Sequence, residues 1–188
     1  MIRVANRQEE GQRLGRMFQL RGLGLAIAIT IPSVTAAPLD VNITGEVVSA
    51  PCKIRAGDEN LMVDLGAVVD KYLYINTRTE GTPFTLHLEN CNTTTWRTVK
   101  LTFNGTANSA MPALLNVTGV NGIGVGIETM GTITALLPLG TASTPQILST
   151  TTMLNFKAFV QGEPQALINK TITRGSFSAV ATFLLEYQ

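Results

Sequence analysis

Short segments of alternating apolar and polar residues recur along most of this chain, and they limit the folds open to it. The final one, residues 175–188, reads GSFSAVATFLLEYQ. Successive side chains of a strand point to opposite faces of a sheet, so this period of two predicts a strand with one face on a core. The inward set, with the residue that follows it, is Gly175, Phe177, Ala179, Ala181, Phe183, Leu185, Tyr187 and Gln188.

Six other segments carry strand signals, and clusters of Gly, Asn, Pro and Thr separate them. These segments are 39–47, 61–65, 84–88, 99–103, 123–127 and 154–160. No segment after residue 37 shows helical periodicity, and the poorly patterned stretch 136–152 is interpreted as loop or weak strand. Short strands with frequent turn signals indicate an all-β sandwich of the immunoglobulin type, in one domain over residues 50–188.

Two glycine-containing sequences predict turns. We expect the strand over 99–103 to end in a turn at Asn104-Gly105. Residues 119–126 read GVNGIGVG, but strand signals surround them and they open no helix. They predict a turn that leads into a strand whose glycines pack closely against a neighbour, rather than a nucleotide-binding loop.

An apolar run near the N-terminus indicates export. Residues 23–34 read LGLAIAITIPSV, with Arg21 before the run and the small residues Thr35 and Ala36 at its end. A transmembrane helix is the alternative, but it needs about 20 apolar residues, and this run is shorter and contains Pro32. The pattern therefore predicts a secretory signal peptide over 1–36, cleaved after Ala36.

The region before the apolar run is unusually long for a signal peptide and contains two glutamates. Met17 would begin a signal of ordinary proportions. We therefore expect translation to start there, with residues 1–16 an extension of the gene model.

The two cysteines, Cys52 and Cys91, would both remain in the exported chain. Export together with an even cysteine count favours a disulfide, which would close a loop of about 40 residues and stabilise the fold by about 4 kcal/mol. A pair of metal ligands is the alternative. His87 is the only histidine and no CxxC spacing occurs, so the disulfide is preferred and no metal or other cofactor is predicted.

Composition and motifs give little sign of catalysis or of nucleic-acid binding. Charged residues make up 14% of the chain and the net charge is +1, with no basic stripe that would bind nucleic acid. No GxSxG, HExxH or phosphate-loop pattern occurs. His87 is a candidate general base, but alternation places it opposite the apolar set of its strand, so we expect a solvated residue on an outer sheet face. We predict that the chain is not an enzyme.

Five N-x-[ST] triplets occur along the chain, and they would be glycan acceptors in a eukaryotic secreted protein. We interpret them as chance products of a sequence rich in Thr and Asn. They lie at Asn42, Asn92, Asn104, Asn116 and Asn169.

The two ends of the exported chain complement each other. Residues 37–49 form a separate strand-like segment whose alternating set is Leu39, Val41, Ile43, Gly45 and Val47. The final strand lacks a following strand with which to pair. An immunoglobulin-like sandwich normally has seven strands, so a chain without the closing one leaves a groove that an extended segment can fill by strand addition. The expected fold is thus an incomplete sandwich, completed by a donor strand.

Four features together resemble pilins of the chaperone–usher class, in particular the minor subunits of type 1-like fimbriae. They are the predicted mature start APLDVNITGEVVSAPC, the phrase PFTLHLENC at the second cysteine, the aromatic Tyr187 next to the C-terminus, and Gly175 fourteen residues from the end. The resemblance covers residues 37–188. The small residues Ala179 and Ala181 depart from a fully apolar terminal ladder.

The resemblance implies a mechanism of assembly. The subunit would be exported to the periplasm and held by a pilus chaperone, whose strand contacts the ladder from Gly175 to Tyr187 and the carboxylate of Gln188. At an outer-membrane usher, the N-terminal strand of the next subunit would replace the chaperone's strand. Residues 39–47 of this chain would fill the groove of the preceding subunit, giving a head-to-tail cell-surface fimbria that contributes to adhesion.

Two other functions remain open at this point. A fimbrial tip adhesin that binds glycans would carry an extra N-terminal receptor domain, whereas only 15 residues separate the predicted cleavage site from Cys52. A secreted β-sandwich enzyme is the second alternative, which the lack of a catalytic motif disfavours. The sequence does not choose between a major shaft subunit and a minor adapter.

Overall fold

The structure, a computed structural model, describes residues 51–131 and 134–188. The predicted signal peptide and the predicted donor strand, with Leu39, Val41, Ile43, Gly45 and Val47, lie outside the described residues. Within them, no helix has the length and apolar character that crossing a membrane would require.

In the described residues, eight strands form two antiparallel sheets, which confirms the all-β prediction. The strands are β1 (Lys53–Ile54), β2 (Thr82–Glu89), β3 (Thr98–Gly105), β4 (Leu115–Asn116), β5 (Ile123–Thr129), β6 (Gln146–Ile147), β7 (Thr151–Gly162) and β8 (Ala181–Tyr187). The larger sheet has the order β1-β2-β7-β5-β4, and the smaller has the order β6-β3-β8. Every pair of neighbouring strands is antiparallel.

Alternation along the strands builds one main core. In β2, Leu86 and Leu88 are buried while His87 between them is only partly so, and β3 likewise buries Val99 and Leu101 on either side of Lys100. Three aromatic rings meet at the centre, with the Phe103 centroid 5.2 Å from that of Phe156 in an edge-to-face arrangement. The period-two signals in the sequence therefore identify the residues that make the core.

The described residues also contain two short helices, although no segment after residue 37 shows helical periodicity. The first, α1, spans Asp70–Asn76, and the second, α2, spans Pro164–Asn169. Each buries one residue, Leu73 in α1 and Ala166 in α2, which is too few for a 3.6-residue period to show in the sequence. A brief 3-10 helix, Asp58–Asn60, precedes them.

The glycine-based predictions have different outcomes. The predicted turn at Asn104-Gly105 is wrong, because β3 continues through both residues and pairs them with Thr182 and Ala181 of β8. The interpretation of residues 119–126 is confirmed. A side chain at Gly126 of β5 would overlap the ring of Phe159, so the strand passes that ring with no space for a Cβ.

The disulfide is present and links Cys52 to Cys91, with 4.0 Å between their Cα atoms. Both cysteines are buried. The bond joins the start of β1 to the residue that closely follows β2, so it fixes one end of the described domain onto the larger sheet.

Candidate strand-binding groove

An apolar groove runs along the open side of β8. One wall is the C-terminal segment 172–187 and the other is segment 61–69, which belongs to no strand or helix. Core residues form the floor between the two walls, among them Phe84, Leu101 and Ile127. A void of about 20 Å³ remains at this central position, so the groove is shallow there.

Four of the residues predicted for the groove edge line the groove, namely Gly175, Phe177, Ala181 and Phe183. Ala179 and Ala181 are buried, and four larger members of the alternating set pack against the core while staying partly exposed. These four are Phe177, Phe183, Leu185 and Tyr187. Gly175 is exposed in a bend before the strand, and β8 itself begins only at Ala181.

The backbone of this wall has one paired side and one open side. Gln188 and Thr98 exchange two hydrogen bonds of 2.9 Å each, so the even-numbered residues of β8 direct their N–H and C=O groups at β3. The odd-numbered residues therefore direct theirs to the other edge. Among the described residues, no strand pairs with that edge. The residues whose side chains face the core are thus the ones that offer backbone hydrogen bonds to an added strand.

The opposite wall was missed as part of the site. Leu61, Val63 and Leu65 alternate with more exposed residues, and Leu61 and Val63 line the central void opposite Phe183. The sequence did predict a strand over 61–65. The segment, however, joins neither sheet in the described part of the chain. The alternating pattern over 61–65 was the sequence signal that could have identified this wall, because an unpaired strand-like segment can border a site for an added strand.

The groove widens into a cleft of about 620 Å³ beside Gly175 and Phe177. Val120, Ile123 and Leu73 form its apolar interior. The cleft is large enough for a bulky side chain, whereas the central void is not.

An ion pair joins the two walls at the cleft. Arg174 donates from Nε and Nη2 to Oδ2 of Asp70, at 2.9 and 2.7 Å. Asp70 begins α1, at the end of one wall, and Arg174 precedes Gly175 on the other. The hydrogen bond from Arg174 lowers the pKa of Asp70, and the carboxylate in turn raises the pKa of Arg174. The pair is a direct, solvent-exposed link between the two walls at this end.

Side-chain hydrogen bonds to β2 fix residues 55–58, the segment that precedes the 61–69 wall. Asp58 Oδ2 accepts hydrogen bonds from His87 N at 2.7 Å and from His87 Nδ1 at 2.8 Å. The His87 side chain is 19% exposed, so our prediction of a solvated histidine is wrong, although it does lie on the face opposite Leu86 and Leu88. Arg55 bonds Glu89 at 3.0 Å nearby. In the described ranges, no cluster of three acidic, His or Cys side chains could hold a metal ion.

The far end of the groove is bounded by Tyr187 and Gln188. Tyr187 is partly buried against the core, and this burial raises the pKa of its hydroxyl. The carbonyl of Gln188 accepts hydrogen bonds from the backbone of Arg97 at 2.7 Å and of Thr98 at 2.9 Å. The last residues are therefore fixed to β3, and the open edge extends to the end of the strand.

Comparisons with known proteins agree with this arrangement. The family model described as fimbrial protein matches residues 41–188. The chain is similar to the minor fimbrial subunit PmfF of Proteus mirabilis (strain HI4320), at 34% identity over 79% of this chain and 84% of that protein. It is equally similar, at 34% identity, to the major MR/P fimbria protein of the same strain, over 88% of this chain and 95% of the relative.

A solved chaperone–usher pilus contains a chain of the same fold. The TM-score is 0.65 and the identity 25%, over 84% of this chain and all of the other. Because the family model spans most of the sequence and the relatives align over most of both lengths, the assignment does not depend on the groove alone. The chain belongs to the fimbrial protein family, whose members matched here are fimbrial subunits.

Proposed function

We propose that the groove receives an N-terminal strand from an adjacent subunit, and that the chain polymerises head-to-tail as a structural subunit of a chaperone–usher fimbria. The observation that carries this proposal is the pair of facing walls, 61–69 and β8. Neither wall has a partner on its groove side in the described residues, and the core forms the floor between them. One added strand would pair with the open backbone edge of β8 and cover the apolar floor.

The donor strand runs antiparallel to β8 in this proposal. Every strand pair of the described domain is antiparallel, and an antiparallel addition completes the immunoglobulin-like sandwich. A segment like residues 39–47 would then place its final apolar residue, Val47, at the cleft and Gly45 next to it. Burial of its four large apolar side chains contributes on the order of 6–12 kcal/mol before entropic costs.

Before assembly, a periplasmic chaperone would fill the same groove. The ladder of Phe177, Phe183, Leu185 and Tyr187 offers apolar contacts, and the odd-numbered backbone groups offer hydrogen bonds. An outer-membrane usher would then exchange the chaperone's strand for that of the next subunit, and the fibre would lie on the cell surface. A structural role of this kind needs no catalytic group or cofactor. Residues 1–36 serve as the export signal and 37–49 as the donor strand in this scheme.

The test of this function removes the donor strand alone. A variant that lacks residues 37–47 keeps its groove, so we expect it to co-purify with the chaperone at the level of the full chain. We expect it to be absent from the interior of fibres, because it cannot fill the groove of another subunit. Fibres are sheared from cells and their subunits quantified by immunoblot. Internal incorporation of the variant would show that the donor-strand assignment is wrong.

A further inference from the structure

An apolar stripe follows the outer face of α1. Val69, Tyr72 and Ile75 recur every three residues, a spacing that places them on one side of the helix. Leu73, the buried residue of α1, lies on the side of the helix opposite Ile75. Ile75 is 82% exposed and covers nothing in the described domain.

The neighbouring helix adds to this surface. α1 packs against α2, where Ala166 is buried and Ile168 is 72% exposed. Exposed polar residues lie close to these positions in the sequence, among them Lys71, Asn169 and Lys170. An apolar centre with a polar rim is typical of a protein interface. We refer to Val69, Tyr72, Ile75 and Ile168 as the helix patch.

The helix patch is continuous with the wide end of the groove. Val69 lines the cleft and is also the first residue of the stripe. Ile172, which closely follows α2, lines the same cleft. A partner whose strand ends in the cleft would therefore leave the groove beside the patch.

The short segment after the donor strand limits how far the partner's domain can lie from the cleft. Four residues, 48–51, separate Val47 from Cys52, where the disulfide-bonded domain begins. Five Cα–Cα steps span at most about 18 Å, so the domain that follows a bound donor strand stays close to the cleft. With the strand antiparallel to β8, that domain lies on the side of α1 and α2.

We propose that the helix patch is the docking surface for the globular domain of the adjacent subunit, the one whose N-terminal strand fills this groove. This inference rests on the proposed function and adds a second contact to it. The strand supplies the permanent link. The patch packs against the neighbouring domain and limits how far the two domains bend relative to each other.

Site-specific cross-linking in assembled fibres tests the contact. A photoreactive phenylalanine analogue replaces Ile75 in one full-length variant and Ile168 in another. The matched control carries it at Ile147, which is 83% exposed on β6, outside the patch. We expect several-fold more subunit–subunit product from positions 75 and 168 than from 147, with the attachment mapped by mass spectrometry to the domain of the strand-donating subunit. Equal yields at the three positions, or attachment to another protein or to the lipid surface, would overturn the proposal.

A second measurement tests the energetic role. Because burial of one isoleucine is worth about a factor of ten in an equilibrium, Ile75→Asp with Ile168→Asp should strongly populate undocked, bent pairs of domains. We expect a shorter persistence length in electron micrographs of such fibres, and no change for Ile147→Asp. Fibres as stiff as those of the control would contradict the inference.

A binding experiment on the groove separates failure of this inference from failure of the proposed function. A peptide of residues 37–49 should bind the chaperone-held Ile75→Asp, Ile168→Asp variant as fast as the unaltered chain, since neither residue lines the groove. If neither this peptide nor the chaperone binds in the groove of the unaltered chain, the proposed function fails. If the grooves of both chains are filled equally well and the patch substitutions have no effect on the fibres, only this inference fails.

Discussion

Gly126 shows how closely single residues are specified in this sandwich. A Cβ at this position would overlap the Phe159 ring, and that ring is fixed because it is buried and has the Arg78 guanidinium 3.7 Å from its centroid. Over-packing of this kind typically costs about 1–3 kcal/mol.

We therefore expect Gly126→Ala to lower the free energy of unfolding by about 1–3 kcal/mol. Urea unfolding followed by circular dichroism measures the change. Gly131→Ala is the matched control, because an added Cβ at Gly131 has no neighbour within 4 Å. Equal stability of the two variants would show that Phe159 moves aside without cost.

Substitution of Tyr187 tests whether the apolar residues of the C-terminal wall bind the chaperone. Its ring packs against the core at the end of the open edge, so Tyr187→Ala should weaken capture by the chaperone about tenfold. Leu184→Ala is the control, since Leu184 is exposed on the opposite face of β8. Co-purified chaperone per subunit is the measurement. Unchanged co-purification of Tyr187→Ala would mean that the chaperone does not depend on this anchor.

At the scale of elements, the groove depends on two walls that are held at their ends. The 61–69 wall follows a segment tied to β2 by the disulfide and by the Asp58–His87 hydrogen bonds. At the cleft, the Asp70–Arg174 pair joins it to the C-terminal wall. This ion pair is thus one of the contacts that link the walls at the cleft.

The pH dependence of this ion pair follows from the lowered pKa of Asp70. A carboxyl group with a lowered pKa stabilises the fold above its usual value, about 4 for aspartate, and loses that contribution as the pH falls through the lowered pKa. We expect Asp70→Asn to be less stable than the unaltered chain at pH 7, and the difference to shrink below about pH 4.

Urea midpoints of the two proteins across that range provide the measurement. Because Arg174 is 79% exposed, salt screens the pair, and 1 M NaCl should also reduce the difference. A difference that stays constant from pH 7 to pH 3 would show that Asp70 acts through something other than its charge.

The elements also show what a sequence reveals and what it does not. The sequence predicted five of the strands, β2, β3, β5, β7 and β8. A half-buried strand needs alternating apolar and polar residues, and this local pattern can be recognised in the sequence. α1 and α2 were missed, since one buried residue each leaves no period to detect. The turn expected at Asn104-Gly105 failed because pairing with β8 outweighs the local turn preference.

The whole molecule depends on contacts distant in sequence, and there the prediction was less complete. The terminal strand identified one side of the groove, but the role of 61–69 as the other wall follows only from its position across the core from Phe183. Likewise, the exposed side chains of α1 and α2 become a surface only when the fold places them beside the cleft. The donor-strand residues, Leu39 to Val47, remain a prediction.

The central claim is that the open edge of β8 receives a strand. Hydrogen exchange at single-residue resolution tests it, because alternate residues of β8 face opposite edges. Adding a peptide of residues 37–49 should slow exchange at the amides of Phe183, Leu185 and Tyr187, and leave Leu184 and Glu186 nearly unchanged because they already bond β3. A peptide with Val41→Asp and Ile43→Asp is the control and should protect none of them. If neither the unaltered peptide nor the chaperone slows exchange at the odd-numbered amides, the account of this groove is wrong.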